Sequence, residues 1–260
     1  MKNYSANAYS PAMSSLRSSW RYVKTDFAPE FARLESQGEL SASCTGEKIW
    51  ETRQKYVFKI ALKEGGAAVY KSFRKIVHPA KFMLRPSPGG FEARNYAILE
   101  KLGLPLPELL AAGDTRKNFI LSNTFVITRF AENFNSCKEF CPGGKYADRK
   151  ELRMYVLNKS MEFLARCHDG GVLHRGYTVA NVLWKESGEQ DKAELLLIDL
   201  ASCRNRPLFI INSSVHKELK LFFRHLALAP AEKEELIERY CSARKKGAPS
   251  ALRLKKKLLD

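Results

Sequence analysis

The sequence predicts an α+β fold in two lobes, a small β-rich N-lobe with a leading arm over residues 1–130 and a helical C-lobe over 131–260. Three observations carry this. Short apolar runs broken by Gly-rich turns crowd into the first half. Apolar residues at three- and four-residue steps dominate the second half. The composition, 45% apolar against 28% charged, is that of a globular chain with enough apolar surface for a core, and no internal repeat points to a solenoid.

The elements follow in order. Residues 1–18 are Ser-rich and without periodicity, the pattern of a loose arm. A strand and a short helix, PEFARLES with Pro29 near its start, are expected between Arg21 and Gln37. KYVFKIAL (55–62) and AAVYKSF (67–73) flank the turn EGG (64–66) and read as a hairpin. PGG (88–90) opens a helix, FEARNYAILEKLG, that stops at Gly103. LPLPELLAAGD runs from a loop into a strand, and NTFVITRF (123–130) is another strand. In the second half, residues 149–171 place Leu152, Tyr155, Val156, Met161, Leu164 and Ala165 at helical spacing, and Gly170-Gly171 ends that helix. NVLWKESGEQDKAELLLIDL reads as a hairpin whose second strand is Leu195 to Ile198, and helices follow over 215–227 and 230–245. The tail, 244–260, interleaves Leu252, Leu254, Leu258 and Leu259 with basic residues, a pattern that fits either a solvated charged face or a short helix at an anionic membrane surface.

Lys plus Arg number 44 against 28 Asp plus Glu, a net charge of +16. Such a field favours an anionic partner. It does not favour nucleic acid here, because basic residues interleaved with stacking aromatics and a helix-turn-helix pattern are both missing. No run of about 18 apolar residues exists to span a bilayer, and MKNYSANAYSPAMSSLRSSW has no apolar core of a signal peptide. A cytoplasmic location is expected. Of the six cysteines, only Cys137 and Cys141 are close together, and no second pair answers them at zinc spacing, so free thiols are expected.

The chemistry lies in GVLHRGYTVANVLW (171–184). Phosphoryl transfer from ATP asks for a Lys on the phosphates, a Glu orienting it, an Asp and an Asn on Mg²⁺, and an Asp accepting the hydroxyl proton. Four of the five have candidates in the right order: Lys71 on a strand, Glu92 on the next helix, Asn181 five residues beyond His174-Arg175-Gly176, and Asp199 at the end of the apolar strand LLLID. The fifth is lost, since Gly176 stands where the proton acceptor belongs. Tyr177 is a poor base, with an ordinary pKa of about 10. Asp169 precedes the two glycines, at the far end of the loop.

The segments AVYKSFRK, GGFEARNYAILEKLGLPLPELLAAGD, FVITRF, LARCHDGGVLHR and LLLIDLASCR give the chain a family likeness. It resembles the bacterial lipopolysaccharide core kinases, the heptose and Kdo kinases of protein-kinase-like fold. The resemblance implies that Lys71 binds phosphates and pairs with Glu92, and that Asn181 and Asp199 hold Mg²⁺. It further implies that Thr128, Arg129 and Phe130 form the hinge receiving adenine, and that His174 buttresses the catalytic loop beside Arg175. The cofactors would be ATP and Mg²⁺. The partner would be the anionic, lipid-linked core oligosaccharide at the inner face of the inner membrane, with Lys75, His78, Lys81 and Arg85 along its approach. Two features depart from kinase pattern: residues 45–66 hold no glycine-rich phosphate loop, and the strand end reads Asp-Leu-Ala in place of Asp-Phe-Gly. No Ala-Pro-Glu follows Asp199, which argues against a peptide substrate. Two readings stand: a sugar kinase that relies on metal and positioning, and a nucleotide-binding pseudokinase scaffold silenced at Gly176.

Overall fold

The computed structural model describes residues 20–38, 40, 46–53, 55–73, 76, 79–187, 193–247 and 249–259. The expected arm over 1–18, Cys44, Lys75 and His78 lie outside them. The chain forms two compact units. One holds the residues up to Ala97 together with Pro107–Glu132, and the other holds Ile98–Leu106 with Asn133–Asp260.

The first unit is built on a six-stranded antiparallel sheet of β1 (Trp20–Val23), β2 (Glu47–Glu51), β3 (Lys55–Ala61), β4 (Ala67–Phe73), β5 (Leu109–Lys117) and β6 (Ile120–Arg129), in the order β1-β5-β6-β4-β3-β2. Alternation decides its faces. Tyr56, Phe58 and Ile60 of β3, Ala68 and Tyr70 of β4, and Phe125 and Ile127 of β6 turn to one side. There they bury Phe31 and Leu34 of α1 (Ala28–Ser36), whose Pro29 sits in the first turn, where its missing N–H is harmless. Lys71 therefore emerges on the opposite face, between Val57 of β3 and Val126 of β6. β2 was not foreseen. It is an edge strand whose five residues are all exposed, so it carries no alternation to read.

In the second unit α3 (Lys150–Asp169) buries Leu152, Val156, Leu157, Met161 and Leu164. The short strands β7 (Asn135–Ser136), β9 (Val182–Glu186) and β10 (Ala193–Leu197) form one sheet, and β8 (Val172–His174) pairs with β11 (Cys203–Asn205). Ile98–Leu106 belongs here because Leu197 N–H donates to Pro105 O (3.1 Å) and Arg166 to Leu102 O (3.2 Å). α4 (Leu208–Phe223) starts at Leu208, a turn or more before the expected Val215, with Ile211 fully buried. α5 (Pro230–Ala243) packs against α3.

The motif LARCHDGG turns out to be structural cement. His168 is held between the Glu218 carboxylate (2.6 Å) and the Tyr240 hydroxyl (2.7 Å), all of them buried. Asp169 accepts from Arg244 Nε (2.7 Å) and from the Lys245 and Lys246 N–H groups (2.7 and 3.1 Å), and these donors hold its carboxyl below the ordinary carboxylate value against the opposing effect of burial. The tail does form a helix, α6 (Ala251–Leu259), but it packs on α4 and α5. Leu254 is buried and Lys255 bridges Glu234 (2.9 Å) and Glu238 (2.6 Å) of α5. Burying one Leu stabilises by about 1.5–3 kcal/mol, so Leu254 of the apolar seam is turned inward while Leu252 stays exposed. Among the described residues no helix is long and apolar enough to cross a membrane.

Candidate active site

In the first unit the site rests on one buried ion pair. Lys71 Nζ lies 2.7 Å from Glu92 Oε1, with side-chain exposures of 12% and 2%. Glu92 sits in the first turns of α2 (Pro88–Lys101), and the start of that helix is pinned hard. The Ser87 hydroxyl accepts Gly90 N–H (3.1 Å) in the manner of an N-cap. The Thr124 hydroxyl on β6 accepts Gly89 N–H (3.1 Å) and donates to Gly113 O (3.0 Å). A glycine is needed there: a Cβ at position 89 would stand 2.4 Å from Thr124 Oγ1 and 2.8 Å from Phe125 O. Strand and helix are thus locked together, which delivers the carboxylate to the lysine. Oε2 of Glu92 is buried with no hydrogen-bond partner among the described residues, so the pair retains unmet acceptor capacity.

The proposed hinge residues end β6. Arg129 N–H donates to Glu108 O (2.8 Å), and its guanidinium meets the Glu108 carboxylate at 3.3 Å. Phe130 N–H donates to Ala67 O (2.9 Å), its C=O accepts from Glu132 N–H (3.1 Å), and Lys59 Nζ lies 4.3 Å over its ring. Thr128 is paired in the sheet between Leu109 and Val69.

In the second unit the quoted loop leaves β8 through a tight turn in which Tyr177 N–H donates to His174 O (2.8 Å). His174 is completely buried, edge-on to Tyr177, and burial pushes its pKa below the ordinary value. It is a neutral core residue. Tyr177 is buried too: its hydroxyl donates to Ser160 O, its ring stacks on Phe222, and burial drives its pKa far up. Neither ring is placed to take a proton from a substrate. Arg175 is exposed.

Asn181 and Asp199 are brought together by the backbone. Asn181 Nδ2 donates to Gly176 O (2.8 Å), and Asn181 O accepts from Ile198 N–H (3.0 Å), the residue just before Asp199. Asp199 has φ 58° and ψ 60°, the left-handed region that non-glycine residues enter at a cost. This conformation breaks the extended backbone that ends at Leu197, ahead of the short turn that begins at Leu200. One carboxylate and one amide oxygen suit Mg²⁺, which takes few protein ligands and completes its shell with phosphate oxygens and water. No group of three or more His, Cys, Asp and Glu side chains is gathered for a metal among the described residues.

One contact at Gly176 escaped sequence reasoning. A Cβ there would lie 3.0 Å from Ser202 Oγ and 3.8 Å from Asn181 Nδ2. The serine hydroxyl therefore borders the space of the missing side chain. Ser202 lies in the unremarkable stretch LAS between Asp199 and β11, and nothing in its spacing signalled a role. Nearby, burial first and then the like charges of Arg175 and Arg206 hold the Arg204 guanidinium below its ordinary pKa. Three arginines thus share one neighbourhood beside the loop.

Comparison with known proteins bears on the family and the fold. Residues 73–240 match the lipopolysaccharide kinase (Kdo/WaaP) family. Among solved structures, WaaP in complex with acyl carrier protein is 14% identical with a TM-score of 0.66, over 92% of this chain and 95% of that one. The Rio2 kinase-ADP/Mg²⁺-phosphoaspartate complex from Chaetomium thermophilum is 12% identical with a TM-score of 0.51, over 88% of this chain and 65% of that one. At such identities the likeness speaks for the fold, which is protein-kinase-like. No match was found among curated protein sequences.

Proposed function

The chain belongs to the lipopolysaccharide kinase (Kdo/WaaP) family, and from that membership we propose that it is an ATP-dependent phosphotransferase acting on a sugar hydroxyl of the lipopolysaccharide inner core, at the cytoplasmic face of the inner membrane. The observation that carries the reading is the buried Lys71–Glu92 pair, which fixes an ammonium group on the sheet face opposite the core.

Each residue has a task. Lys71 neutralises and orients the nucleotide phosphates, and Glu92 holds the ammonium in place so that little reorganisation is needed. When bound, ATP supplies the γ-phosphoryl group and Mg²⁺ neutralises its developing charge. Asp199 and the Asn181 amide oxygen are the ligands available to that ion, and the Thr128 to Phe130 segment would border adenine, with the Arg129 and Phe130 N–H groups already committed to Glu108 O and Ala67 O. Arg175, Arg204 and Arg206 attract the anionic acceptor; a depressed guanidinium among like charges gains by meeting an anion.

Gly176 removes the general base, a group that contributes on the order of 10² to 10⁴ in rate. The Ser202 hydroxyl, bordering that space, orients the acceptor hydroxyl but does not deprotonate it. Phosphoryl transfer passes through a loose transition state in which positioning and charge stabilisation supply most of the catalysis; as the hydroxyl oxygen bonds the γ-phosphorus and the bond to ADP breaks, the hydroxyl proton would leave late, to a phosphoryl oxygen or to water, so a slow kinase results. The same glycine favours a second reading, a nucleotide-binding scaffold without turnover.

The test is calorimetric binding of ATP with Mg²⁺ to the chain, to Lys71→Met and to Asp199→Asn, together with transfer of labelled phosphate to isolated lipopolysaccharide core. Binding that both variants lose, with slow transfer by the unaltered chain, is the expected result. Binding without transfer selects the scaffold, and absence of binding rejects both readings.

A further inference from the structure

Among the described residues of the first unit, Leu84 and Phe119 are the two most exposed large apolar side chains, and Phe119 lies at the β5–β6 hairpin tip, away from the Val126 register of Lys71. A cavity of about 600 Å³ is lined by Ala80, Met83, Leu84 and Phe119, with Lys81 and Arg85 at its rim. Leu84 is 74% exposed and Phe119 56%. The two segments that build it are tied together: Arg116 Nη1 donates to Phe82 O (2.7 Å) while its buried guanidinium pairs with Asp114 (3.2 Å). The patch is therefore held in shape by a buried arginine.

The hairpin joining β5 to β6 adds an independent observation. Lys117 and Ile120 are paired, and the two residues between them, Asn118 and Phe119, have φ of 50° and 65°. This is a turn with both central residues left-handed, for which Asn-Gly is the favoured sequence. A phenylalanine at the second position is strained, since its Cβ crowds the backbone there. It recovers little by packing, being more than half exposed. A strained, exposed aromatic at a hairpin tip is the mark of a residue kept for contact with something else.

We propose that this surface docks the protein on an anionic lipid bilayer, with Phe119 and Leu84 entering the headgroup boundary and Lys81, Arg85 and Lys117 resting on the phosphates. Charge selects this occupant. Neither residues 76–87 nor residues 115–120 contain an acid, while Lys81, Arg85 and Lys117 are exposed at the patch. A basic rim around an apolar tip matches an anionic membrane surface, where each Lys or Arg adds attraction that salt screens. The tail helix α6 offers less: Leu254 is buried and Lys255 is committed to Glu234 and Glu238, which leaves Leu252 as its one fully exposed leucine. This inference rests on the lipid-linked acceptor proposed above for its purpose only. The binding test contains neither nucleotide nor sugar, so its failure leaves the phosphotransferase reading untouched.

The experiment is sedimentation of the full chain with vesicles of equal parts phosphatidylglycerol and phosphatidylcholine, and with vesicles of phosphatidylcholine alone. Binding to the anionic vesicles only, weakened by salt, is expected. Leu84→Ser and Phe119→Gly should each lower the affinity by about tenfold, the loss of one buried apolar side chain. Phe119→Gly should at the same time keep or raise the Tm, because glycine relieves the turn. Leu252→Ser, on the exposed side of α6, should bind as the unaltered chain does. Unaltered binding by Leu84→Ser and Phe119→Gly, loss of binding through Leu252→Ser, or no binding to anionic vesicles would each overturn the proposal.

Discussion

Replacing Gly176 with aspartate puts the chemical account to a quantitative test. The backbone at 176 is not in the left-handed region, so an L side chain meets no conformational barrier there. Its Cβ would approach Ser202 Oγ at 3.0 Å, a contact that a hydroxyl relieves by rotating about its χ1. The new carboxylate would project into the space beside Ser202, within reach of the Asn181 amide, which already donates to Gly176 O. Restoring a general base is then worth about 10² to 10⁴ in kcat, or roughly 2.7–5.5 kcal/mol at 1.36 kcal/mol per decade. The assay is the single-turnover rate of phosphate transfer from saturating ATP to lipopolysaccharide core, with ATP affinity measured beside it. Affinity should stay within a few-fold, since position 176 does not hold the nucleotide. The double variant Gly176→Asp, Ser202→Ala removes the close contact and should be at least as stable as Gly176→Asp alone. A Gly176→Asp protein that folds and binds ATP but transfers phosphate no faster than the unaltered chain would refute the assignment of position 176.

Further outcomes follow from the same geometry. Lys71→Met should destabilise by about 3–5 kcal/mol by leaving Glu92 charged and unpaired in a buried site, and should lose ATP binding; Lys71→Met with Glu92→Gln should recover most of the Tm but not the binding. Gly89→Ala should cost about 1–3 kcal/mol by overpacking against Thr124 and Phe125 and weaken ATP binding by displacing Glu92, as chemical denaturation and calorimetry would show. His174 is held neutral by burial, so the unfolded chain binds more protons than the folded one below the unfolded pKa of about 6.5. Stability is therefore full above that pH and declines as pH falls toward the folded pKa. His216, depressed by burial and the nearby Lys257 and Lys217, adds to the same slope, and His174→Gln should flatten only its own share in urea titrations at pH 5 to 7. Tyr177→Phe should lose about 1 kcal/mol of stability with its bond to Ser160 O and leave the rate of phosphate transfer unchanged.

The parts of this protein that sequence made legible are those governed by periodicity and order along the chain. The β3–β4 hairpin, α2, α3 and the run into Asp199 each announce themselves by alternation, helical spacing or terminal glycines, and Lys71 and Glu92 fall on the elements that join them. What stayed hidden depends on through-space contact. β2 is an exposed edge with no buried face to pattern it. α4 begins in the apolar run Leu208 to Ile211, which lacks polar interruptions and so shows no helical stripe. The left-handed Asp199, the Asn181 bond to Gly176 O and the Ser202 hydroxyl beside the empty position arise from local backbone geometry that side-chain spacing does not encode. The tail lies between these cases: its amphipathic pattern does form a helix, but a stripe of leucines does not say what will cover it, and here the helix packs on α4 and α5 with Leu254 buried and Leu252 exposed.

The most direct measurement is Mg²⁺-dependent transfer of label from γ-labelled ATP to lipopolysaccharide core by the chain as it stands, set against Asp199→Ala. Slow but measurable labelling of the core, abolished by Asp199→Ala and accelerated by Gly176→Asp, is the expected result. Labelling that persists undiminished in Asp199→Ala, or a chain that neither binds ATP nor labels the core, would contradict it.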